Sequence, residues 1–365
     1  MAGSIVILTE TEDIHAYAVS EALSLKGRPP VLWHTSDFPS ASVETFHFQG
    51  RQLEAVIEGS DFTIVPEDVS VVWRRRPSHV IPESILHPAD QAFAETECSV
   101  FRRSALSVLA DGAFWVNSPD AANRASRKIL QHKLALEVGL SVPDTIYTND
   151  PQKIRGFIRS HHGTAVYKPF RGVAWRTPDR SWVPFTSEVS EATLVEADLL
   201  QLVPGIYQEL LPKSYEIRVT VMGRQVFAAK ILSQETASGK LDWRKSYGEL
   251  RMEPIELPAE VSSRCLKLMA RLDLVFGCFD FVVTPAKEYY FLEVNEMGQF
   301  LFVERFTDLP LLDAFSDFLI SGRPDFVWEP SAHPISYSEV EARAHSFAEE
   351  MSRCHISSPE AVSRE

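Results

Sequence analysis

The chain is poor in cysteine: among 365 residues there are four, Cys98, Cys265, Cys278 and Cys354, far apart and with no C-x-x-C pair. That spacing argues against a zinc knuckle, a redox dithiol or a disulfide-stapled scaffold, and suits free, mostly buried thiols in a reducing compartment. Long apolar runs are missing as well. The opening stretch, residues 4–8, meets Thr9, Glu10, Glu12 and Asp13 after only a few apolar positions, so neither a signal peptide nor a bilayer-spanning helix is expected and a cytoplasmic location is. No G-x-G-x-x-G follows that stretch; the acidic segment in its place would repel a pyrophosphate, which excludes a Rossmann dinucleotide site there. Positive charge is in deficit, 36 Lys and Arg against 50 Asp and Glu for a net −14, a field that repels nucleic acid and anionic membrane. Any anionic ligand must therefore be held by local cations.

What remains is an ordinary globular composition, 45% apolar and 24% charged, on a chain longer than the roughly 250 to 300 residues at which one core stops growing. Two or three lobes with a cleft between them are expected. Short apolar runs at 5–8, 30–33 and 69–73 alternate with a helical pattern at 14–25 and read as β–α–β units of an open α/β lobe, residues 1–116. A second, α+β region, 117–205, opens with a helix capped by Ser118 and Pro119 and stopped by Gly139, followed by a strand at 164–170, a polar loop at 171–182 and a short helix at 194–202. The third region, 206–327, turns to antiparallel strands. Segments 217–222 and 225–232 flank Gly223-Arg224, a two-residue hairpin connection; 260–272 is an amphipathic helix; and strands at 279–283 and 289–295 flank 284–287. Residues 328–365 are polar, with an exposed helix at 337–352 that reads as a loosely attached tail in preference to a partner-binding helix.

The chemistry concentrates in the last strand pair. Alternate side chains of a strand share a face, so Glu293 and Asn295 point the same way. A four-residue turn at 284–287 sets Asp280 opposite Phe291 and diagonal to Glu293, about 7 to 8 Å away at the backbone. Two carboxylates and an amide oxygen then converge, a donor set that favours Mg²⁺ or Mn²⁺ over zinc; the same spacing also suits carboxylates paired with nearby Lys or Arg. Lys128 on its helix and Lys168 on an apolar strand suit phosphate, although lysines also sit readily at surfaces.

The order Lys128, Lys168, Gln208-Glu209, Glu216-Ile-Arg218, Asp280, Glu293-x-Asn295 resembles the ATP-grasp superfamily of carboxylate ligases, notably the ribosomal-protein glutamate ligase branch, over residues 117–322. More narrowly, Val72-Trp-Arg74-Arg75-Arg76-Pro77 and Glu293-Val-Asn-Glu-Met-Gly298-Gln-Phe300 resemble the ATP-grasp ligases that cyclise ribosomally made peptides, the microviridin-type or graspetide synthetases. The resemblance implies an ATP-grasp fold behind an N-terminal α/β (pre-ATP-grasp) domain. It also implies that Lys128 and Lys168 bind the α- and β-phosphates of ATP under the loop after Lys168, that Gln208 and Glu209 recognise adenine and Glu216 the ribose, and that Asp280, Glu293 and Asn295 hold two Mg²⁺ ions. Arg218, Lys230 and Arg244 are candidates for cations around the γ-phosphate and the acyl phosphate.

In the arginine run, strand alternation puts Arg74 and Arg76 on one face and Arg75 on the other. The first pair is a candidate for bidentate capture of peptide carboxylates, and a solubilising or salt-bridge role fits the run as well. The expected activity is ATP-dependent ligation in which Asp or Glu side chains of a precursor peptide, with its leader and acidic core, become acyl phosphates and then ω-esters or ω-amides. Addition of an amino acid such as glutamate to a protein or peptide, and a non-catalytic ATP-binding scaffold, are the other readings. Monomer and homodimer both stay open.

Overall fold

Buried β-branched runs and a flat, small-residue helix build the first lobe. In the computed structural model, which describes residues 3–81, 86–109, 112–170, 175–177, 180–182 and 185–357, β1 (Ser4–Thr9), α1 (Ile14–Leu25) and β2 (Val31–His34) are followed by β3 (Val43–Gln49), β4 (Gln52–Glu58), β5 (Thr63–Ile64), β6 (Val69–Arg74), α2 (Pro88–Val108) and β7 (Phe114–Val116). Strands β2-β1-β6-β7 form a parallel sheet, the open α/β arrangement that the alternation predicts. The antiparallel β3-β4-β5 sheet is a separate layer in this lobe.

The single helix expected from Ser118 to Gly139 is two. Ser118 caps α3 (Pro119–Ala125), its Oγ accepting from the Ala121 amide at 3.2 Å, and α4 (Lys128–Glu137) starts afresh after a break. The break puts Lys128 at the first residue of its own helix, where the free N–H groups lie. The chain continues through β8 (Thr145–Thr148), α5 (Pro151–Ser160), β9 (Thr164–Lys168), β10 (Trp175–Thr177), β11 (Arg180–Trp182), β12 (Ser187–Ser190), α6 (Ala197–Leu202) and β13 (Gly205–Gln208). An antiparallel sheet β12-β9-β13-β8 results. Within the polar stretch expected as a loop at 171–182, β10 and β11 pair as a hairpin; residues 171–174 and 178–179 lie outside the described residues.

The third region is a five-stranded antiparallel sheet, β16-β15-β14-β17-β18, made of β14 (Tyr215–Met222), β15 (Gln225–Ile231), β16 (Met252–Pro254), β17 (Phe276–Val283) and β18 (Tyr289–Asn295), with α7 (Ala259–Leu272) between β16 and β17. Gly223 makes the tight β14–β15 turn possible: its φ is +59°, and a Cβ there would stand 2.8 Å from the backbone of Phe326. The amphipathic face of α7 (Val261, Cys265, Leu268, Leu272) packs with Ile217, Val219, Phe279, Phe281 and Phe291 from one face of the sheet. Each buried phenylalanine there contributes about 1.5–3 kcal/mol. The opposite face is apolar at one end, where Met222, Phe227 and Phe276 meet α8 (Leu301–Thr307) and α9 (Leu311–Ser321), and polar at the other. That polar end faces the cleft.

Residues 328–357 are not a loose tail. Helix α10 (Tyr337–Cys354) buries Tyr337, Val340, Ala344, Ala348 and Met351, one apolar side chain per turn, in the core that it shares with α1. No helix among the described residues is long and apolar enough to cross a membrane.

Candidate active site

Strand alternation brings Glu216 and Arg218 of β14, Asp280 of β17, and Glu293 and Asn295 of β18 to the same polar face. Asp280 lies directly opposite Glu293, not diagonal to it. Two local features cause the difference: five residues, not four, connect Val283 to its partner Tyr289, and an irregularity beside Asp280 skips Leu292 in the pairing. A bulge of this kind re-aims a side chain beside a functional site; here it brings two carboxylates face to face.

Helix α4 is fixed over these carboxylates by Gln131. Its Nε2 donates to the Ala125 and Val294 carbonyls at 2.6 and 2.8 Å, and its Oε1 accepts from the Val294 amide at 2.9 Å. The first turn of α4 thus overhangs β18, and Lys128 donates to the Glu293 carboxylate. From the central sheet, Lys168 Nζ donates to Gln208 Oε1 at 2.8 Å, and Gln208 Nε2 donates to Thr145 Oγ1 at 3.0 Å. Glu209 ties the strand end, its carboxylate accepting from the Asp144 amide at 2.7 Å. Glu216 accepts from Lys213 Nζ at 3.0 Å. Arg218 donates to both Asp280 oxygens, at 2.9 and 2.8 Å, and to the Gln299 carbonyl at 2.8 Å. Arg244 is held by Asp242 through its Nε at 2.8 Å and Nη2 at 2.5 Å.

These groups line one cleft of about 570 Å³, a volume suited to a small-molecule ligand. Burial opposes ionisation of Glu293, but Lys128, Lys168 and Arg244 outweigh it and hold its carboxyl at about 2. Burial raises Asp280, against the pull of Arg218 and with the push of Glu293. Burial would depress the Arg218 guanidinium, yet Asp280 carries the net shift upward. Lys168 is brought down to about 8, chiefly by burial. The site is therefore a compact set of opposed charges.

Of the sequence candidates, Lys128, Lys168, Gln208, Glu209, Glu216, Arg218, Arg244, Asp280, Glu293, Asn295 and Arg76 line this cleft. Lys230 does not. It pairs with Ile217 across the hairpin, on the face away from Arg218, with Glu253 at 3.8 Å and the Tyr215 ring at 4.7 Å. Arg74 ends β6 and reaches the Met297 sulfur, whereas Arg75, assigned by alternation to the other side, lines the cleft and donates to the Met297 carbonyl. The strand stops at Arg74, so alternation no longer governs the next two residues. Lys213 is a further cleft cation that no motif signalled. Among the described residues no group of three or more His, Cys, Asp and Glu is placed to hold a metal. The two carboxylates and the Asn295 amide are hard oxygen donors that fit a small divalent cation whose shell is completed by phosphate oxygens.

No protein-family model and no curated protein matches the chain. Solved structures do. A RiPP-associated ATP-grasp ligase of Chryseobacterium gregarium, in complex with ADP and a leader and core peptide, is 29% identical with a TM-score of 0.80, over 88% of this chain and 98% of its own. The macrocyclase MdnC of Microcystis aeruginosa, bound with precursor peptide MdnA, is 26% identical with a TM-score of 0.75, over 87% and 99%. The macrocyclase MdnB of the same organism is 30% identical with a TM-score of 0.73, again over 87% and 99%. With that identity across nearly all of MdnB, and with one cleft joining its lysines, arginines and paired carboxylates, the chain belongs to the RiPP-associated ATP-grasp ligases, a family of enzymes.

Proposed function

We propose that the protein uses ATP to activate Asp or Glu side chains of a ribosomal precursor peptide as acyl phosphates, and closes ω-ester or ω-amide rings with hydroxyls or amines of the same peptide. The observation that carries this reading is the Asp280–Glu293 pair facing Lys128 and Arg218 inside a cleft that also holds Lys168 and Arg244. Carboxylate activation needs that combination: cations for a triphosphate, oxygen donors for its metal, and guanidiniums for the acid. Nearly full-length likeness to relatives solved with ADP or with a precursor peptide supports it further. On this reading residues 117–205 and 206–327 enclose the nucleotide, and 1–116 supplies part of the peptide wall.

In this assignment Lys128 and Lys168 contact the α- and β-phosphates, Gln208 and Glu209 present the adenine edge, and Glu216 accepts from the ribose. Asp280, Glu293 and Asn295 hold Mg²⁺, two ions in the fullest form, with Mn²⁺ a chemically equivalent substitute. Bound there, the metal would offset phosphate charge as a Lewis acid. Lys128 and Arg218 would then be released from the carboxylates that they grip in the free protein. Arg218 and Arg244 stabilise the charge on the transferring phosphoryl group; Lys230, on the opposite face, would act only from a distance. A peptide carboxylate oxygen takes the γ-phosphoryl group and ADP leaves; a hydroxyl or amine then attacks the acyl carbon, loses its proton and expels phosphate. Arg76, with Arg75, holds peptide carboxylates in the cleft, while Arg74 reaches Met297 beside them. The net charge of −14 fits a cytoplasmic enzyme with neither nucleic acid nor membrane as partner.

The test is to incubate the protein with Mg-ATP and the acidic precursor peptide encoded beside its gene. ADP and phosphate should form, with a loss of about 18 Da, one water, per bond. AMP and pyrophosphate would refute acyl-phosphate chemistry, and an added amino acid in place of a mass loss would refute cyclisation.

A further inference from the structure

The N-terminal arginines sit on an acidic loop, and that loop is clasped from behind by the chain's C-terminal segment. Asp13 lies 3.2 Å from Arg75 Nε, and Glu10 Oε1 accepts from Arg76 Nη1 at 3.1 Å. Arg75 is 2% exposed, and its buried Nη2 has no hydrogen-bond partner although the side chain lines the cleft. Besides the Met297 carbonyl, its aim therefore depends on the loop, residues 9–13, that carries both carboxylates.

Several contacts hold that loop and its neighbour to residues 352–357. Ser352 Oγ donates to the Thr11 carbonyl at 3.4 Å, and the Thr11 and Ser357 hydroxyls lie 2.9 Å apart. His355 Nδ1 meets Asp37 Oδ2 at 2.6 Å, each side chain 1% exposed, and the Ile356 amide donates to Asp37 Oδ1 at 2.8 Å. The His355 ring stacks on His34 with centroids 3.9 Å apart. His34 Nε2 is 3.1 Å from the Tyr17 hydroxyl, which donates to the Thr11 carbonyl at 3.1 Å. A continuous buried chain thus runs His355, His34, Tyr17, Thr11, and so to the loop that aims the arginines.

We infer that His355 and the segment 352–357 are a positioning clasp for Arg75 and Arg76: by fixing the Glu10–Asp13 loop they set the guanidinium geometry for peptide carboxylates. The inference rests on the peptide-binding role proposed above for the arginines. His355 touches no substrate. Its loss acts through the loop, so the constant for the peptide should move and the constant for ATP, whose proposed ligands lie on α4 and in the other two regions, should not.

Steady-state kinetics with the synthetic precursor peptide and Mg-ATP tests this. His355→Ala should raise KM for the peptide about fivefold, the order expected from one lost buried hydrogen bond, with KM for ATP and kcat within about twofold. His355→Asn, whose amide nitrogen can replace Nδ1 as donor to Asp37, should restore most of the loss. In an Arg76→Ala background the His355→Ala effect should shrink, because one of the two positioned guanidiniums is gone. Thr11→Val, a milder removal of the Ser357 contact, should shift the peptide KM in the same direction and keeps the test available if His355→Ala does not fold. Equal losses in both KM values, or an effect undiminished in the Arg76→Ala background, would reduce the clasp to a structural contact and overturn the inference. An unchanged peptide KM in Arg76→Ala alone would instead strike down the arginine assignment itself.

Discussion

Substituting Gly298 by alanine puts the site under a defined steric load. A Cβ built there would clash with Cys278 Cβ, lie 2.7 Å from its Sγ and 3.1 Å from Arg218 Nη2. The Cys278 Cβ is fixed to the backbone of a central strand and cannot swing away, so the 295–299 turn must lift. Overpacking of this kind costs about 1–3 kcal/mol. The turn also carries the Gln299 carbonyl that accepts from Arg218, and losing one hydrogen bond to a charged group costs about 1.5–3 kcal/mol more. The two costs share atoms and do not simply add, so about 2–4 kcal/mol is expected. Urea denaturation should show a lower midpoint at unchanged slope, and turnover should fall with it because Arg218 also grips Asp280. Cys278→Gly in the same chain removes both clashing atoms and should recover turnover, with about 1 kcal/mol still lost to a strand glycine. A Gly298→Ala protein with stability within about 0.5 kcal/mol of wild type and normal turnover would refute the packing described around Arg218.

Three other substitutions probe separate parts of the account. Lys230→Met should leave turnover within about twofold, since its side chain faces away from the cleft; a loss beyond about a hundredfold, the scale of a removed transition-state contact, would overturn that placement. Gln131→Leu removes the two hydrogen bonds that hold α4 to Val294 of β18 and a third to the Ala125 carbonyl of α3, and should raise KM for ATP by about tenfold or more through Lys128, read from initial rates against ATP concentration. Glu304 caps two helices, its carboxylate accepting from the Leu312 and Tyr337 amides at 2.7 and 2.6 Å, and burial raises it from 4.5 to about 7 despite those bonds. A raised carboxyl contributes stability that is complete below pH 4.5 and is lost as pH climbs through about 7, on the order of 3 kcal/mol. Glu304→Gln should lack that decline, so the stability difference between wild type and variant should change between pH 5 and pH 8; parallel curves would refute the assignment.

Local periodicity made much of the site legible. Alternation alone put Glu293 and Asn295 on one face, and the Gly223-Arg224 hairpin, once Met222 pairs with Gln225, sets Arg218 opposite Ala229 and so sends Lys230 to the other face. Carrying that count through would have removed Lys230 in advance. One apolar residue per turn in residues 337–351 likewise signalled a buried helix face behind a polar composition. Other features had no local signal. The bulge that aligns Asp280 with Glu293 depends on how β17 and β18 meet, and the overhang of Lys128 depends on Gln131 bonding a strand more than 160 residues away. Arg75 reaches the cleft because β6 ends one residue earlier, a boundary of the least predictable kind.

The central claim is that a peptide carboxylate oxygen takes the γ-phosphoryl group. A precursor peptide labelled with oxygen-18 in its Asp and Glu carboxyls tests it directly, since the oxygen that bonds phosphorus leaves with it when the ring closes. After reaction with Mg-ATP, mass analysis of the released inorganic phosphate should show one label transferred per ring bond formed. Cyclised peptide accompanied by unlabelled phosphate would contradict the account.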